Sequence, residues 1–218
     1  MDVSASQVKQ LREKTGAGIL DCRKALQENS GDFEKATDWL RAKGIAKAAK
    51  KATRAATEGS VVSYIHAGGK IGVLLEVNCE TDFVARGDEF QALAHDIALH
   101  IAAANPQWVR REDVPSAVLD REKRVFKAQA MESGKPEQIA ERMVVGKLDK
   151  WFKENILLEQ EFVKDDSRTI NDLQTDFVAK SGENVQVRRF ARFVLGEGLE
   201  KKSDDFASEV ARMAAGEA

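Results

Sequence analysis

The sequence predicts an α+β fold: a three-helix N-terminal domain, an antiparallel-sheet core with covering helices, and a protruding helical hairpin. Three observations predict this arrangement. Apolar residues recur at helical spacing through the first 44 residues, their period changes to two between Gly59 and Cys79, and two long charged segments follow residue 115. A further strand pattern, Val185 to Leu195, returns near the end of the chain. We therefore expect one sheet whose strands come from both sides of the hairpin.

The N-terminal domain, residues 1–44, is predicted to contain three short helices. Ser4 and Gln7 form a capping box for the first helix, and a Gly-Ala-Gly break separates it from the second. Gly31-Asp32 then stops the second helix and caps the third, which we expect Gly44 to end. So small a core is typical of a docking module and not of a catalyst. The apolar positions of the three helices are Val8 and Leu11, then Leu20, Ala25 and Leu26, then Phe33, Ala36 and Leu40.

Basic residues alternate with alanines after this domain and predict a basic helical linker over residues 45–58. A solvated linker helix and a contact with phosphates or an acidic partner are both open interpretations. No aromatic residue lies among the basic ones, so single-stranded nucleic acid is not expected as a partner. The basic residues of the whole stretch are Arg41, Lys43, Lys47, Lys50, Lys51 and Arg54.

The core is predicted to comprise residues 59–115 and 156–200. It begins with a β-hairpin, in which a Gly68-Gly69 turn joins a strand with Val61, Ser63 and Ile65 on one face to a strand from Ile71 to Cys79. A helix capped by Asp88 and Gln91 is then expected to cover one face of this hairpin. The apolar positions of that helix are Phe90, Leu93, Ala94, Ile97 and Ile101.

The remaining segments are predicted from shorter patterns. Residues 116–155 should form the coiled-coil helical hairpin, with a helix stop at Ser133-Gly134-Lys135-Pro136. Ile156-Leu157-Leu158 and Phe162-Val163 predict an extended segment, and Ile170 to Lys180 predicts a helix. Residues 201–218 should form a C-terminal helical module, with a helix from Ser203 to Ala214.

Composition excludes several classes of function. At 218 residues the chain can bury a hydrophobic core in one or two domains. Its 34 Lys and Arg residues nearly balance its 36 Asp and Glu residues, so a net charge of -2 indicates neither nucleic acid nor a membrane as partner. No apolar run is long enough to span a membrane, and the N-terminus lacks the apolar segment of a signal peptide. We therefore expect a cytoplasmic protein.

Motifs of catalysis, metal binding and nucleotide binding do not occur. Cys22 and Cys79 lie far apart without a CxxC partner, and the histidines lack HExxH spacing. The strings GxSxG, GxGxxG and GxxxxGK[ST] are also missing from the sequence. We expect no enzyme, no metal, no cofactor, no direct nucleotide binding, and a reducing compartment.

The strongest functional indication is the tetrapeptide Thr81-Asp82-Phe83-Val84, which follows the second strand of the hairpin. The strand ends in an acid and a large aromatic, with no glycine or proline to indicate an ordinary turn. Phe83 is therefore expected to be exposed, and an exposed aromatic side chain indicates a binding role. Asp82 is a poor candidate for a general base, because no neighbour would orient a substrate. Cys79 is expected to be the last buried residue of its strand and not a reactive thiol.

The same four letters recur at Thr175-Asp176-Phe177-Val178. There Ile170, Leu173 and Phe177 share one face of a predicted helix, with Thr169 or Ser167 at its start and Gly182 at its end. Phe177 is therefore expected to belong to the core, and we interpret the repeat as a coincidence.

Five segments of the chain together closely resemble one known family. They are Val8 to Leu26, Ile45 to Lys51, Leu75 to Val84, Ser133 to Glu137, and Arg188 to Phe193 followed by Gly196 to Gly198. In this order they resemble bacterial elongation factor Ts, the guanine nucleotide exchange factor of elongation factor Tu. The resemblance covers nearly the whole chain. It is closest to the short form of the family, because longer members carry a duplicated half of the sheet core.

The resemblance implies roles for particular residues. Residues 1–44 would be a ubiquitin-associated-like domain that docks on the nucleotide-binding domain of elongation factor Tu. Phe83 would insert between helices of that partner, with Thr81 and Val84 in the same site. Asp82 would help to displace the partner's magnesium-binding region, so the metal would belong to the partner. Some short forms assemble as dimers, which leaves a homodimer open.

A function from a different class remains as the alternative. The chain could be a protein and nucleic-acid adaptor without exchange activity, using the three-helix domain for protein and the basic linker for nucleic acid. A third function, that of an enzyme, has no residues to support it. For the three-helix domain itself, the alternative to docking is that it only stabilises the sheet.

Overall fold

The structure is a computed structural model in which residues 3–132 and 136–199 are described. The predicted helix Ser203 to Ala214 and the tip of the helical hairpin, residues 133–135, lie outside the described residues. Within them the fold is α+β with antiparallel sheets, as predicted. The elements in chain order are α1 (Ala5–Thr15), α2 (Ile19–Glu28), α3 (Phe33–Lys51), β1 (Glu58–Ile65), β2 (Ile71–Cys79), α4 (Asp82–Ala85), α5 (Asp88–Ala104), α6 (Ser116–Glu132), α7 (Glu137–Asn155), β3 (Glu161–Phe162), β4 (Asp165–Thr169), α8 (Ile170–Ser181) and β5 (Gln186–Val194).

The N-terminal helices form a small core of their own. The capping box of Ser4 and Gln7 is confirmed, and Asp32 caps α3 through hydrogen bonds from two backbone amides. The inward position predicted for Leu20 is wrong, because its side chain is 80% exposed. At about 100° per residue, Leu20 lies on the opposite face of α2 from the buried Cys22. The buried residues of this core are Val8, Leu11, Cys22, Ala25, Leu26, Ala36 and Leu40.

The prediction that Gly44 ends the third helix is also wrong. Helix α3 continues without a break to Lys51, so it includes the helical part of the predicted basic linker. Gly44 lies against Ala179 of α8, and a Cβ atom at Gly44 would be 3.5 Å from the Cβ atom of Ala179. The two helices therefore lie close enough for a methyl group at this position to touch Ala179. One continuous helix joins the N-terminal domain to the core.

The main sheet has the strand order β1-β2-β5, with both neighbouring pairs antiparallel. Its central strand β2 buries Val73, Leu75, Val77 and Cys79 against α5 and α8, as the alternating pattern predicts. Strand β5 comes from the far side of the helical hairpin, which confirms that both parts of the chain build one sheet. The opposite face of the sheet is not covered by another element of the described chain.

The predicted cap of α5 is wrong. Gly87 is the N-cap residue, and Asp88 lies in the first turn, where a negative charge is favourable. The side chain of Gln91 donates instead to the carbonyl oxygen of Ala85 at 2.7 Å and to Oγ of Ser60 at 2.9 Å. Gln91 therefore fixes the start of α5 to β1.

The predicted extended segment at Ile156-Leu157-Leu158 is only partly correct. Ile156 forms a single parallel bridge with Trp108, after which Leu157–Glu159 is a 3-10 turn. Ile156 and Leu157 are fully buried, so their apolar character reflects core packing and not a strand. Strand β4 was not predicted from sequence, because its residues, Asp-Asp-Ser-Arg-Thr, show no apolar alternation.

The helical hairpin is confirmed in its described part. Helices α6 and α7 pack against each other, and Nζ of Lys147 donates to Oε1 of Gln129 across the pair at 2.7 Å. In the described parts of the chain, no helix has the length and apolar character that crossing a membrane requires.

Candidate functional site

Thr81, Asp82, Phe83 and Val84 form a tight turn directly after β2. The last three begin the single-turn helix α4, which Thr81 caps by accepting a hydrogen bond at Oγ1 from the amide of Val84 at 3.3 Å. Val84 packs against the core and Ala85 is buried, so one side of the turn is anchored. On the other side the Phe83 side chain is 85% exposed. The predicted exposure of Phe83 is confirmed.

Asp82 lies beside Phe83 on the solvent side of the turn. Its carboxylate forms an ion pair with the guanidinium group of Arg86, one helical turn later, with 2.8 Å between Oδ2 and Nη2. This pair is exposed and contributes little to stability. It does place a negative and a positive charge next to the exposed ring.

Cys79 is fully buried at the end of β2, as expected. Its thiol donates to the carbonyl oxygen of Thr81 at 3.1 Å. Burial raises the pKa of the Cys79 thiol, and the nearby carboxylate of Glu183 raises it further. Burial likewise raises the pKa of the Cys22 thiol. Both cysteines are therefore neutral packing residues within this chain.

Glu183, in the loop after α8, holds the start of the turn. Its Oε2 atom accepts hydrogen bonds from the amides of Glu80 at 3.2 Å and Thr81 at 3.0 Å. Its Oε1 atom accepts one from the Thr81 hydroxyl at 2.7 Å. Sequence reasoning did not find Glu183, because a glutamate in a polar loop about a hundred residues from its partners has no local signal.

The same loop is attached to the end of α3. Asn184 is buried, and its side-chain amide donates from Nδ2 to the carbonyl oxygen of Arg54 at 2.7 Å. The backbone amide of Asn184 donates to Oε1 of Glu80 at 2.6 Å. Lys51 donates to the carbonyl oxygen of Gly182. The loop therefore contacts both the Thr81–Val84 turn and the end of the helix that carries the N-terminal domain.

The basic stretch makes contacts within the protein. Lys43 and Lys47 both donate to the carboxylate of Asp21, at 2.7 and 2.6 Å, and these hydrogen bonds lower the pKa of Asp21. Arg41 pairs with Asp172 at 2.9 Å. Arg41, Lys43 and Lys47 therefore have acidic partners within the protein, and no nucleic acid is needed to balance their charge. These contacts support the interpretation that the basic residues of the stretch are structural.

The second tetrapeptide, Thr175-Asp176-Phe177-Val178, lies within α8. The ring of Phe177 is half-buried and packs edge to face on Phe90, with 6.0 Å between ring centroids. Thr169 caps the helix and Gly182 follows it with a φ of 80°, as predicted. The two tetrapeptides are therefore different in structure, and only the first presents its aromatic ring to solvent.

The uncovered face of the main sheet is apolar. Paired residues of adjacent strands lie on one face, so the pairs Ser63–Leu74 and Gly72–Phe193 place neighbours from all three strands on the uncovered side. The large apolar side chains exposed here are Val61, Ile65, Leu74, Phe193 and Leu195.

The described residues contain no group of three or more His, Cys, Asp or Glu side chains placed to hold a metal ion. A cleft of about 700 Å³ opens between the N-terminal helices and helices α5 and α8. Charged side chains pair along it, as Arg41 does with Asp172 and Arg168 with Asp176.

The fold and this turn define a class: an α+β protein that presents an exposed aromatic side chain on a turn held by hydrogen bonds, as proteins that act by docking do. Residues 45–197 match the family model described as Elongation factor TS. The chain is 61% identical over 214 residues to elongation factor Ts of Geobacter sulfurreducens, covering 98% of this chain and 99% of the relative. It is 62% identical over 213 residues to elongation factor Ts of an Anaeromyxobacter species, covering 98% and 97%. The chain belongs to the elongation factor Ts family.

Proposed function

We propose that the chain is a guanine nucleotide exchange factor of translation elongation. It binds elongation factor Tu with GDP bound and promotes release of GDP by inserting Phe83 and displacing the magnesium region of the partner. Membership of the elongation factor Ts family supports this function. The observation that carries it is the 85% exposure of Phe83 on a turn whose other side is anchored in the core.

Insertion of Phe83 can supply part of the required free energy. Burial of a phenylalanine side chain that is exposed in the free factor yields about 1.5–3 kcal/mol. Each 1.4 kcal/mol corresponds to about a tenfold change in an equilibrium constant. Only the part of this free energy that differs between the GDP-bound and nucleotide-free partner can loosen GDP.

Asp82 is proposed to help displace the magnesium-binding region of the partner at the site where Phe83 inserts. Magnesium in such sites neutralises the phosphates, so a shift of the partner's metal-binding region weakens the hold on GDP. Asp82 lies next to Phe83, and its carboxylate would enter the partner with the ring. Because coupling between two ligands is reciprocal, GDP should weaken binding of the factor by the same ratio as the factor weakens binding of GDP.

The test is stopped-flow release of a fluorescent GDP from elongation factor Tu with the variants Phe83→Ala and Phe83→Leu. We expect Phe83→Ala to abolish most of the stimulation at saturating factor, with an unchanged melting temperature, and Phe83→Leu to retain part of it. The matched control for Phe83→Leu is Phe177→Leu, the same substitution in the second Thr-Asp-Phe-Val tetrapeptide. This control should leave the maximal rate of GDP release unchanged. A normal stimulated rate with Phe83→Ala would refute the proposed mechanism.

The N-terminal domain is proposed to dock on the nucleotide-binding domain of the partner. Ile19 and Leu20, at the start of α2, are 57% and 80% exposed and lie outside the small core. Replacing both by serine should weaken binding of elongation factor Tu without unfolding the domain. This test is better than deletion of the first 54 residues, because α3 also packs against α8. Unchanged affinity would indicate that the domain only stabilises the core.

A homodimer is proposed through the uncovered face of the sheet. Phe193 and Leu195 are 66% and 74% exposed on this face. A contiguous apolar patch of this kind is typical of an interface. Sedimentation of the wild-type chain and of Phe193→Lys tests the proposal. A dimer that the lysine dissociates would support it, and a wild-type monomer at high concentration would exclude it.

A further inference from the structure

We infer that Glu183 is a positioning residue for nucleotide exchange, which holds the Thr81–Val84 turn so that Phe83 has one orientation. The inference rests on the proposed function of Phe83. It concerns a residue outside the tetrapeptide, on a loop that also contacts the end of α3.

Glu183 accepts three hydrogen bonds from the residues at the start of the turn. Its two carboxylate oxygens accept hydrogen bonds from the amides of Glu80 and Thr81 and from the Thr81 hydroxyl, at 3.2, 3.0 and 2.7 Å. The paired residues of β1 and β2 end at Cys79, so the two amides have no partner in the sheet. Glu80 is half-buried, so its amide needs an acceptor, and Glu183 is that acceptor. The amide of Thr81, an exposed residue, donates to the same carboxylate oxygen in place of water.

The third hydrogen bond orients the cap of α4. The Thr81 hydroxyl donates a hydrogen bond to Glu183, which leaves a lone pair of Oγ1 directed at the amide of Val84, 3.3 Å away. Without Glu183 the hydroxyl can rotate and lose the Val84 amide. The turn that carries Phe83 would then rely on its own backbone hydrogen bonds, and a single helical turn is unstable alone.

The loop that contains Glu183 and Asn184 also connects the Thr81–Val84 turn to the end of α3 through hydrogen bonds. Asn184, next to Glu183, donates to Glu80 and to the carbonyl oxygen of Arg54 just beyond α3. Arg54 itself lies 3.5 Å from the carboxylate of Glu80. A docking domain on α3 and an inserting ring at position 83 must reach the partner together. Glu183 and Asn184 fix the distance between them.

The experiment measures two quantities on the full chain. Hydrogen exchange of the Glu80 and Thr81 amides, followed by NMR in the free factor, reports whether the turn is held. The maximal rate of GDP release from elongation factor Tu, and the factor concentration that gives half of it, separate positioning from docking. We expect Glu183→Ala to speed amide hydrogen exchange and to lower the maximal rate about tenfold, the effect of roughly one lost hydrogen bond to a charged group. The half-saturating concentration should change little.

Two further variants act as controls. Glu183→Gln keeps an oxygen for the two amides, and its NH2 group can donate to the Thr81 hydroxyl, so it should restore most of the rate. Glu159→Ala removes a carboxylate that binds Arg111 through two hydrogen bonds and contacts none of residues 80–84. It should lower stability while leaving amide exchange and the maximal rate unchanged.

The outcomes separate this inference from the proposed function. If Phe83→Ala does not lower the maximal rate, the proposed function fails, and the role of Glu183 in exchange fails with it. If Phe83→Ala lowers the rate but Glu183→Ala does not, the exchange mechanism stands and Glu183 is only structural. Unchanged hydrogen exchange at Glu80 and Thr81 in Glu183→Ala would overturn the inference by itself.

Discussion

Gly44 in α3 packs directly against Ala179 in α8, and a Cβ atom at Gly44 would lie 3.5 Å from the Cβ atom of Ala179. That separation is an ordinary contact distance, so one methyl group fits between the helices and a larger side chain does not. The glycine was expected to end a helix. It lies instead inside α3, at the contact between the N-terminal half of the protein and its core.

This packing predicts opposite effects of two substitutions. Gly44→Ala should raise the free energy of unfolding by about 0.5–1 kcal/mol, because alanine is the better helix residue and its methyl group fits. Gly44→Leu should lower it by about 1–3 kcal/mol, because the side chain forces α3 away from α8. Urea unfolding measures both. Gly146→Ala is the control, since its added Cβ would meet no atom within 4 Å apart from its chain neighbours and the backbone of its own helix, and it should show the helix gain alone. Destabilisation by Gly44→Ala but not by Gly146→Ala would contradict the packing described.

The two copies of the Thr-Asp-Phe-Val tetrapeptide give a second prediction. Phe177→Leu should lower the free energy of unfolding by about 1 kcal/mol, since it removes an edge-to-face contact with Phe90. Phe83→Leu should leave stability unchanged, because its ring is exposed to solvent in the free protein. Thermal unfolding of the two variants measures this difference in stability. Equal losses of stability would mean that Phe83 also packs within its own chain.

The contrast between these phenylalanines was predictable from sequence. Phe177 lies in register with Ile170 and Leu173 on one helical face, whereas Phe83 follows a strand and precedes a new helix, with no glycine or proline to indicate an ordinary turn. Local periodicity therefore distinguished an exposed ring from a packed one. Strand β2 was found from its own period, because its apolar residues alternate over nine residues.

What the sequence did not reveal depends on contacts between distant residues. Nothing near Glu183 indicates that it accepts hydrogen bonds from Glu80 and Thr81, since these residues meet only when β5 pairs with β2. Continuity of α3 through Gly44 likewise depends on a distant contact, because packing against Ala179 of α8 holds the helix together across the glycine. Leu20 was placed inward by its apolar character alone, although the buried Cys22 fixes the opposite face of α2.

A buried histidine gives the last prediction, on pH. His100 is fully buried, and its Nδ1 atom accepts a hydrogen bond from the amide of Val163 at 3.3 Å. Its Nε2 atom therefore carries the proton and donates to Oε1 of Gln160 at 2.9 Å. The side chain of Gln160 is oriented for this by its own donation to the carbonyl oxygen of Glu154 at 2.8 Å. The site accepts only the neutral ring, and burial lowers the pKa of His100.

The direction of the pH dependence follows from this lowered pKa. As the pH falls below about 6.5, the unfolded chain binds a proton at this histidine and the folded chain does not, so stability decreases with a slope of up to about 1.4 kcal/mol per pH unit. Stability from His100 is thus fully present above that pH and is lost as the pH falls towards the lowered pKa. Urea unfolding between pH 7.5 and 5.5 should show this loss in the wild type and in the exposed-site control His66→Gln. It should be smaller in His100→Gln, which has no group that titrates there. An equal slope in all three proteins would show that some other group is responsible.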